Sequence, residues 1–462
     1  MDLRFRRALY LTFFVIFAVA ATGLLFYLQG YRYNPQKKKI ERTGAVMVDS
    51  LPVGATIVLN GGIQPKATPV TIQPLKPGDY EVIINLAGRQ TWRKVLPVKP
   101  SRVTFTGQVR LWPNPATGDR LAGTALTEAT LAPNGENLLY RSSSGLSTGL
   151  WLYNLATGKT TLLTRSATTT IATLEWSPSS REFLVGETNS AGSLNYRLFS
   201  LDNSDWEDVR LPASTTPRLV HWGEDESSLY LSTDSEIYQW KRRTGVIKLL
   251  WREQLESFRL HDGLIFGLAR GTAGGLSIKM LNLSNLKTLN FDEPLPLSTN
   301  AAFLEARGEW LPLFDQDRHL LYLIHSPLTE LKPVRRLPEV TNLDWSADGE
   351  RLLLINNFEI WEYRLQDDLL NLLLRVSTPL IRGRFYMLEP YLIYASGHEV
   401  WALELDARGE QQRWLLAKYD NEVEDLFLDL NGKTLTVKTS NGFYRLTLTA
   451  QPGSRLGVPL ID

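Results

Sequence analysis

The sequence of 462 residues contains no cysteine. This absence excludes disulfides, thiolate metal sites, cysteine nucleophiles and iron–sulfur clusters. It does not identify a compartment, because disulfide-free proteins occur on both sides of membranes. Histidine is scarce, with five residues in the whole chain. His319 and His325 form the one close pair, and along a strand they would lie about 20 Å apart, too far to share a metal ion.

The chain also lacks an excess of charge, since 50 basic and 49 acidic side chains give a net charge of +1. No global field therefore recruits nucleic acid, and we expect no nucleic-acid partner. Hydrophobic residues at 43% and charged residues at 21% are typical of a globular protein with a large core. The length exceeds that of an ordinary single domain.

One long uncharged run is present, from Ala8 to Leu28. As a helix it would measure about 31 Å, the thickness of a hydrocarbon core. Tyr10 and Tyr27 lie near its ends, where interfacial aromatic residues belong. A cleaved signal peptide is the alternative, because Ala18–Ala20 resembles a cleavage site, but the apolar run continues past it. We predict an uncleaved transmembrane helix at residues 8–28, in contact with membrane lipid.

Both flanks of this run are basic. Residues 1–7 carry three arginines, and residues 29–43 carry a larger positive charge that includes Lys37–Lys39. A strict positive-inside count would keep the body of the chain in the cytoplasm, whereas a basic start is typical of a signal-anchor, so charge leaves the orientation open. We interpret residues 29–43, which contain Pro35, as a juxtamembrane linker that either contacts anionic headgroups or is simply solvated.

Residues 44–106 alternate apolar and polar side chains with a period of two, and glycine-containing turns separate the apolar segments. This pattern predicts a small all-β domain. Its turn residues occur in a fixed order: Pro52-Val-Gly-Ala55, Asn60-Gly61, Thr68-Pro69, Leu75-Lys-Pro-Gly-Asp-Tyr80, Gly88 and Trp92.

This order of turns resembles the PEGA domain, which is named for a Pro-Glu-Gly-Ala turn. Val53 stands in place of the glutamate, and Arg89 stands where an aromatic residue usually follows the glycine. The resemblance covers about residues 44–105. It implies a β-sandwich-like accessory domain, usually non-enzymatic, of prokaryotic surface or envelope proteins, and it favours an extracytoplasmic body.

Residues 107–451 contain a pattern that returns at intervals of roughly forty residues. Trp345-Ser-Ala-Asp-Gly and Trp222-Gly-Glu-Asp each place an apolar anchor before a polar turn and an apolar strand. Four strands per unit at this period predict a β-propeller. The units lie near 121–165, 172–211, 218–252, 257–291, 303–337, 341–377, 385–418 and 424–449.

Eight units predict eight blades, and seven remain an alternative if one irregular unit is an insertion. The last unit has room for three strands before the tail, residues 452–462. We therefore expect Arg102–Trp112 to supply the missing outer strand and close the ring. None of the thirteen tryptophans is followed by aspartate, so the Trp-Asp dipeptide of WD40 repeats is absent. The Trp-Ser-x-Asp-Gly form at Trp345 resembles TolB-like propeller repeats, which supports the fold and says little about activity.

Two segments match catalytic patterns and a third resembles one without matching it, and we interpret each one as a turn or loop. Gly145–Gly149 fits G-x-S-x-G, but a strand follows it where a nucleophile elbow needs a helix. Ser284–Lys287 fits S-x-x-K without the partner motifs of that family. Ser346–Gly349 lacks the spacing of a sialidase box. Two acidic clusters, Asp315 with Asp317 and Glu422 with Glu424 and Asp425, lack the glycine-punctuated ligands of a calcium loop.

Six tryptophans recur at equivalent positions of the repeat, and we expect most of them in the core: Trp151, Trp176, Trp222, Trp345, Trp361 and Trp401. Three lie out of register and are candidates for an aromatic ligand platform: Trp206, Trp310 and Trp414.

The sequence as a whole predicts a mainly β, membrane-anchored, extracytoplasmic binding or scaffold protein of the cell envelope. Its propeller would bind a protein or a glycan. We expect no enzyme, no cofactor and no metal, and we assign no catalytic or ligand-binding residue. The alternatives are a propeller enzyme acting on glycans or peptides and a scaffold that faces the cytoplasm.

Overall fold

The computed structural model describes residues 3–28, 30–34, 38–121, 126–144, 147–211, 215–271, 274–289, 295–326, 335–337, 340–387, 389–429 and 431–449. These residues divide into two compact units. The first contains the chain up to Pro115 together with Leu403–Leu416. The second contains Ala116–Ala402 and Ala417–Leu448. The tail predicted at residues 452–462 lies outside the described residues.

The first unit begins with one helix, α1 (Leu3–Leu28). Its segment Leu9–Leu28 has a mean hydropathy of 2.3, and none of it is buried within the chain. The predicted apolar helix is therefore confirmed. Its length and composition are those of a membrane span, although an N-terminal signal sequence meets the same criteria.

The segment after α1, which we interpreted as a linker, contains a two-stranded antiparallel sheet of β1 (Tyr31–Asn34) and β2 (Lys39–Arg42). Tyr33 lies opposite Ile40, and Tyr31 lies opposite Arg42. The alternation of tyrosine with polar residues in β1 is a strand pattern that the basic composition of the segment obscures.

Seven strands form the small β domain: β3 (Gly44–Leu51), β4 (Thr56–Leu59), β5 (Gly62–Ile63), β6 (Val70–Leu75), β7 (Gly78–Asn85), β8 (Trp92–Val98) and β9 (Val103–Arg110). They form two sheets, ordered β6-β3-β9 and β5-β4-β7-β8. Val46 and Val48 from one sheet and Ile57, Ile84 and Trp92 from the other are completely buried. Alternate residues of both sheets thus supply one core, as in a β-sandwich.

The expectation that Arg102–Trp112 closes the propeller is wrong. Strand β9, which lies within that segment, pairs in parallel with β3, and its Val109 is buried. The alternating pattern fits the edge of the small domain as well as it fits an outer propeller strand, and the nearby domain provides the partner. The strand that does close the propeller comes next in the chain, β10 (Asp119–Leu121).

A buried ion pair joins two segments of the first unit that lie far apart in sequence. Lys94 Nζ is 2.8 Å from Glu404 Oε2 and 3.3 Å from Asp406 Oδ2. The side chains of Lys94 and Glu404 are 0% and 3% exposed. Trp92 Nε1 donates a hydrogen bond to the same Glu404 carboxylate at 3.0 Å. A buried charge needs such partners, so the cost of removing either member should be large.

The strands that follow the small domain form four-stranded antiparallel sheets. Among the residues that the structure describes there are eight, and each of seven is made of four consecutive strands. In chain order, the first sheet contains β11 (Leu126–Leu131), β12 (Asn137–Ser144), β13 (Ser147–Asn154) and β14 (Thr160–Ser166), and the second contains β15 (Thr169–Trp176), β16 (Glu182–Asn189), β17 (Leu194–Ser200) and β18 (Asp205–Val209). The third contains β19 (Leu219–Trp222), β20 (Ser228–Ser232), β21 (Ile237–Lys241) and β22 (Val246–Trp251), and the fourth contains β23 (Ser257–His261), β24 (Leu264–Arg270), β25 (Leu276–Asn282) and β26 (Thr288–Leu289).

The fifth sheet contains β27 (Ala301–Phe303), β28 (Trp310–Asp315), β29 (Leu320–His325) and β30 (Arg335–Leu337). The sixth contains β31 (Asn342–Trp345), β32 (Arg351–Ile355), β33 (Glu359–Arg364) and β34 (Leu369–Arg375). The seventh contains β35 (Leu380–Phe385), β36 (Tyr391–Ser396), β37 (Glu399–Glu404) and β38 (Arg413–Lys418). The last sheet combines β39 (Val423–Leu428), β40 (Thr434–Thr439) and β41 (Gly442–Thr447) with β10. These sheets are the propeller fold that the repeat predicts, and the number of blades in the ring stays a prediction.

Three tryptophans at the ends of first strands connect neighbouring sheets. The indole nitrogens of Trp176, Trp222 and Trp345 donate to backbone carbonyl oxygens in the preceding sheet or in the loop after its first strand, at 3.2, 3.4 and 3.1 Å. The expectation of one equivalent core position for six tryptophans is wrong, because the other three lie on third strands. Trp176 and Trp222 are buried, and the remaining four are half-buried.

The last sheet is completed by the first strand of the array. Asp119, Arg120 and Leu121 of β10 pair with Arg445, Tyr444 and Phe443 of β41. One apolar cluster then joins the first consecutive sheet to the last, with Tyr140 and Tyr153 on one side and Phe427 and Phe443 on the other. Closure removes the two sheet edges that an open array would expose.

Gly118 leads into this closing strand and provides a test of it. Its φ is +73°, and a Cβ placed on it would lie 2.4 Å from the backbone oxygen of Arg445. Gly192 has a similar φ of +80° but no atom within 4 Å of such a Cβ. Gly192→Ala should therefore cost only the left-handed strain, about 1 kcal/mol. Gly118→Ala should cost about 2 kcal/mol more because of the clash.

The measurement is the thermal unfolding midpoint of the detergent-solubilised chain and of both variants. Equal shifts for the two alanine variants would contradict a tightly paired closing strand.

Candidate functional site

The first strands of neighbouring sheets contact one another and carry charged side chains. We call eight residues on these strands the inner ladder: Glu175, His221, Arg259, Asn342, Asp344, Arg382, Arg384 and Asp425. Each of its contacts joins two different sheets. Among the described residues, we take the inner ladder as the strongest candidate site.

Glu175 on β15 is the centre of one half of the inner ladder. One carboxylate oxygen lies 2.7 Å from His221 Nδ1 on β19, and the other accepts from Arg259 Nη1 on β23 at 3.3 Å. Burial raises the pKa of Glu175, but the neighbouring His221 and Arg259 and the backbone N–H of Trp222 outweigh burial and hold that pKa below its ordinary value.

Asp344 and Asp425 form the other half. Asp344 Oδ1 accepts from Arg384 Nη1 at 2.6 Å, and its Oδ2 accepts the backbone N–H of Phe385 at 3.0 Å. Arg382 binds Asp425 through two nitrogens, at 2.6 and 3.0 Å, and also contacts Asn342. Burial lowers the pKa of Arg384, but Asp344 and Asp425 outweigh it, so that pKa is raised.

These contacts determine what the inner ladder can do chemically. A carboxylic acid that donates a proton near neutral pH needs a raised pKa, and the pKa of Glu175 moves in the opposite direction. Bidentate arginine–carboxylate pairs also give fixed geometry. The inner ladder is therefore suited to holding neighbouring sheets in register and presenting a fixed charge pattern, more than to acid–base catalysis. No sequence motif indicates it, because its members lie some forty residues apart.

The segments that match catalytic patterns are turns or strands where they are described. Ser346 and Asp348 form a turn in which Gly349 has a φ of +73°, and Ser346 Oγ accepts the N–H of Arg351. Ser284 Oγ donates to Asn282 at 2.6 Å. Gly145 lies outside the described residues, and Ser147 begins strand β13.

The two acidic clusters are engaged with their own surroundings. Asp315 is buried and accepts hydrogen bonds from the backbone and hydroxyl of Ser298 at 2.8 and 2.6 Å. Asp425 belongs to the inner ladder, and Glu424 is 3.0 Å from Lys438. In the part of the chain that the structure describes, no three histidine or acidic side chains are grouped so that they could hold a metal ion.

The three platform candidates have different environments. Trp414 is 5% exposed and donates its Nε1–H to the carbonyl of Thr91, so its interpretation as an open aromatic platform is wrong. Trp206 packs 4.9 Å from Phe199 and lies on β18, the last strand of its sheet. Trp310 is half-buried, and its ring centre lies 4.5 Å from that of His325 with the two ring planes tilted by 55°. The structure does not bring them together on one strand or sheet.

A second candidate surface is apolar. Leu369, Leu370 and Leu372 are each about two-fifths exposed on β34, which is the last strand of its sheet. Exposed leucines on an edge strand are typical of a contact with another protein. The run of leucines in this segment is visible in the sequence, but only the topology shows that its strand lies at an edge.

This geometry defines the class of the protein, a β-propeller preceded by a small β domain and an apolar helix. The Dos1 propeller is similar in structure, with a TM-score of 0.50 and 8% identity over 72% of this chain and 95% of that one. A chain of a mitotic checkpoint complex aligns with a TM-score of 0.44 and 10% identity, over 73% of this chain and 92% of that chain. At 8% identity, the likeness to the Dos1 propeller shows the fold alone.

The small domain is the part with a family match. Residues 43–111 match the family model described as the PEGA domain. The resemblance inferred from the turn residues is confirmed, and the match extends through β9, which completes the first sheet of this domain. No curated protein matches the chain. The combination of propeller, PEGA domain and apolar helix fits a membrane-anchored binding or scaffold protein.

The inner ladder predicts a specific dependence on pH. Glu175→Gln should lower the free energy of unfolding at neutral pH by about 2 kcal/mol, because charge-assisted hydrogen bonds to His221 and Arg259 are weakened. The folded-state pKa of Glu175 lies below the ordinary value of 4.5, so its contribution is complete above that pH and is lost as pH falls through the folded-state pKa.

The difference between parent and variant should therefore shrink in acid, as measured by chemical denaturation from pH 7 downward. Asp208→Asn is the matched control, because its partner Arg210 and Asp208 itself are both more than half exposed. That variant should change stability little at any pH. A Glu175→Gln difference that stays constant with pH would contradict a stabilising charge at Glu175.

Proposed function

We propose that this chain is an extracytoplasmic binding or scaffold protein of the cell envelope, held at the membrane by α1. The observation that carries the proposal is the apolar segment Leu9–Leu28, which is unburied and is followed closely by a PEGA domain. Domains of this family usually belong to prokaryotic surface or envelope proteins, and that association favours the outer side of the membrane.

Binding rather than catalysis is the role that the propeller supports best. Its charged inner residues are engaged with one another across sheets, which makes the scaffold rigid, and rigid scaffolds present loops and edges to partners. We propose a protein partner before a glycan, because the exposed leucines of β34 offer an apolar strand edge that an extended peptide segment could extend.

The absence of cysteine allows a direct test of topology. Asn203 is exposed in the propeller, and Arg7 is exposed at the other end of the apolar segment. In intact cells or spheroplasts, an impermeant maleimide should label Asn203→Cys, whereas Arg7→Cys should react only after lysis. The reverse result would place the propeller in the cytoplasm. A mature protein that has lost residue 7 would show that the helix is a cleaved signal.

The apolar edge gives a second test. A photo-crosslinking amino acid at Leu370 should yield a discrete higher-mass adduct in living cells, because that residue lies in the expected contact. The same amino acid at Asn203, which is exposed but polar in its surroundings, is the matched control. Adducts from Asn203 alone, or from neither position, would contradict a partner on β34.

A further inference from the structure

The last turn of α1 contacts the hairpin of β1 and β2 through hydrogen bonds and aromatic side chains. Gly30, with a φ of +83°, ends the helix and donates to the carbonyl of Tyr27 at 3.2 Å. Arg32 donates to the same carbonyl at 2.7 Å, and its guanidinium lies 3.5 Å from the centre of the Tyr27 ring. Phe26 and Tyr31 meet edge to face at 5.1 Å. Because these contacts involve the last turn of the helix, the orientation of the hairpin follows that of the helix.

The base of the hairpin is fixed as well. The backbone N–H and the hydroxyl of Thr43 both donate to the carbonyl of Gly30, at 2.8 and 3.0 Å. The carbonyl of Thr43 in turn accepts the N–H of Ser101, at 3.0 Å. The hairpin is thus held between the helix end and the PEGA domain within one compact unit.

One face of the hairpin is apolar and open. Tyr33 and Ile40 lie directly opposite each other, so they share a face, and they are 60% and 68% exposed. Lys38, Lys39 and Arg42 flank them and are also exposed. An exposed aromatic–aliphatic pair with basic neighbours, directly after an apolar helix, matches the composition that membrane interfaces select.

A polar cleft of about 450 Å³ lies beside this hairpin, between the helix end and the PEGA domain. Leu28 lines it at the end of the apolar segment, and Arg42 and Arg102 line it with the hydroxyl-bearing Thr43 and Ser101. Two arginines beside a serine hydroxyl are the residue types that recognise a phosphate group. Their position at the end of a membrane span would place them at the depth of lipid headgroups.

We propose that the hairpin β1–β2 is an interfacial element that rests on the bilayer. Tyr33 and Ile40 enter the boundary between headgroups and acyl chains, while Lys38, Lys39 and Arg42 contact the headgroups of anionic phospholipids. This inference depends on the proposed function for the anchoring of α1 in a membrane. It adds a second membrane contact, which fixes how the PEGA domain leaves the bilayer surface.

Single cysteines can test this contact in the full-length chain, since the sequence has none of its own. Nitroxide labels are placed at Tyr33→Cys and Ile40→Cys, with Phe17→Cys inside α1 as the control for insertion. Ile63→Cys is the matched aqueous control, because Ile63 is 74% exposed on β5 of the PEGA domain. Each protein is reconstituted in nanodiscs of zwitterionic lipid with or without phosphatidylglycerol, and relaxation by oxygen and by a water-soluble nickel complex is measured.

With phosphatidylglycerol present, the oxygen-to-nickel accessibility ratio at positions 33 and 40 should be several-fold higher than at position 63. The ratio should fall toward that of position 63 in purely zwitterionic nanodiscs and in the Lys38→Gln/Lys39→Gln background. An aqueous reading at positions 33 and 40, with position 17 immersed, would overturn this inference alone. An aqueous reading at position 17 would overturn membrane anchoring itself. Immersion of 33 and 40 that is independent of lipid charge would overturn the role of anionic headgroups.

Discussion

The pairing of β10 with β41 is the interaction on which the rest of the propeller depends. A four-stranded sheet cannot bury both of its faces alone, and each sheet in the array does so against its two neighbours. The first and last sheets have a second neighbour only because the array closes, which brings Tyr140 and Phe443 within 5.2 Å of each other. A strand of three residues, Asp119–Leu121, thus joins the two ends of a chain segment of more than three hundred residues.

The side-by-side arrangement of the sheets also brings the residues of the inner ladder together. Once the first strands lie side by side, charged residues on neighbouring sheets come within hydrogen-bond distance, as Arg382 and Asp425 do. Such pairs need burial and good geometry to contribute, and the bidentate contact provides that geometry. A scaffold held in this way has its inner charges committed to structure. Its outer strands and loops are then the surfaces that the proposed partner would contact.

The sequence predicts the repeating parts of this structure well and the single contacts poorly. The anchor tryptophans and polar turns locate the sheets, because each sheet repeats the same local pattern. Period-two alternation alone does not show that Arg102–Trp112 belongs to the PEGA domain, because a strand of the propeller would have the same alternation. Lys94 and Glu404 are separated by more than three hundred positions, and no local pattern indicates that they meet. The hairpin after α1 was not predicted, because each of its strands has only four residues and the basic composition of the segment is typical of a linker.

The measurement that tests closure most directly is hydrogen–deuterium exchange of the full-length chain, followed by mass spectrometry across a denaturant series. Peptides that contain β10 should be protected to the same degree as those from β39, β40 and β41, and all four strands should lose protection in one cooperative step. Fast exchange of β10 while β39 to β41 stay protected would show that the ring does not depend on this strand, and it would contradict a propeller held together by its closing strand.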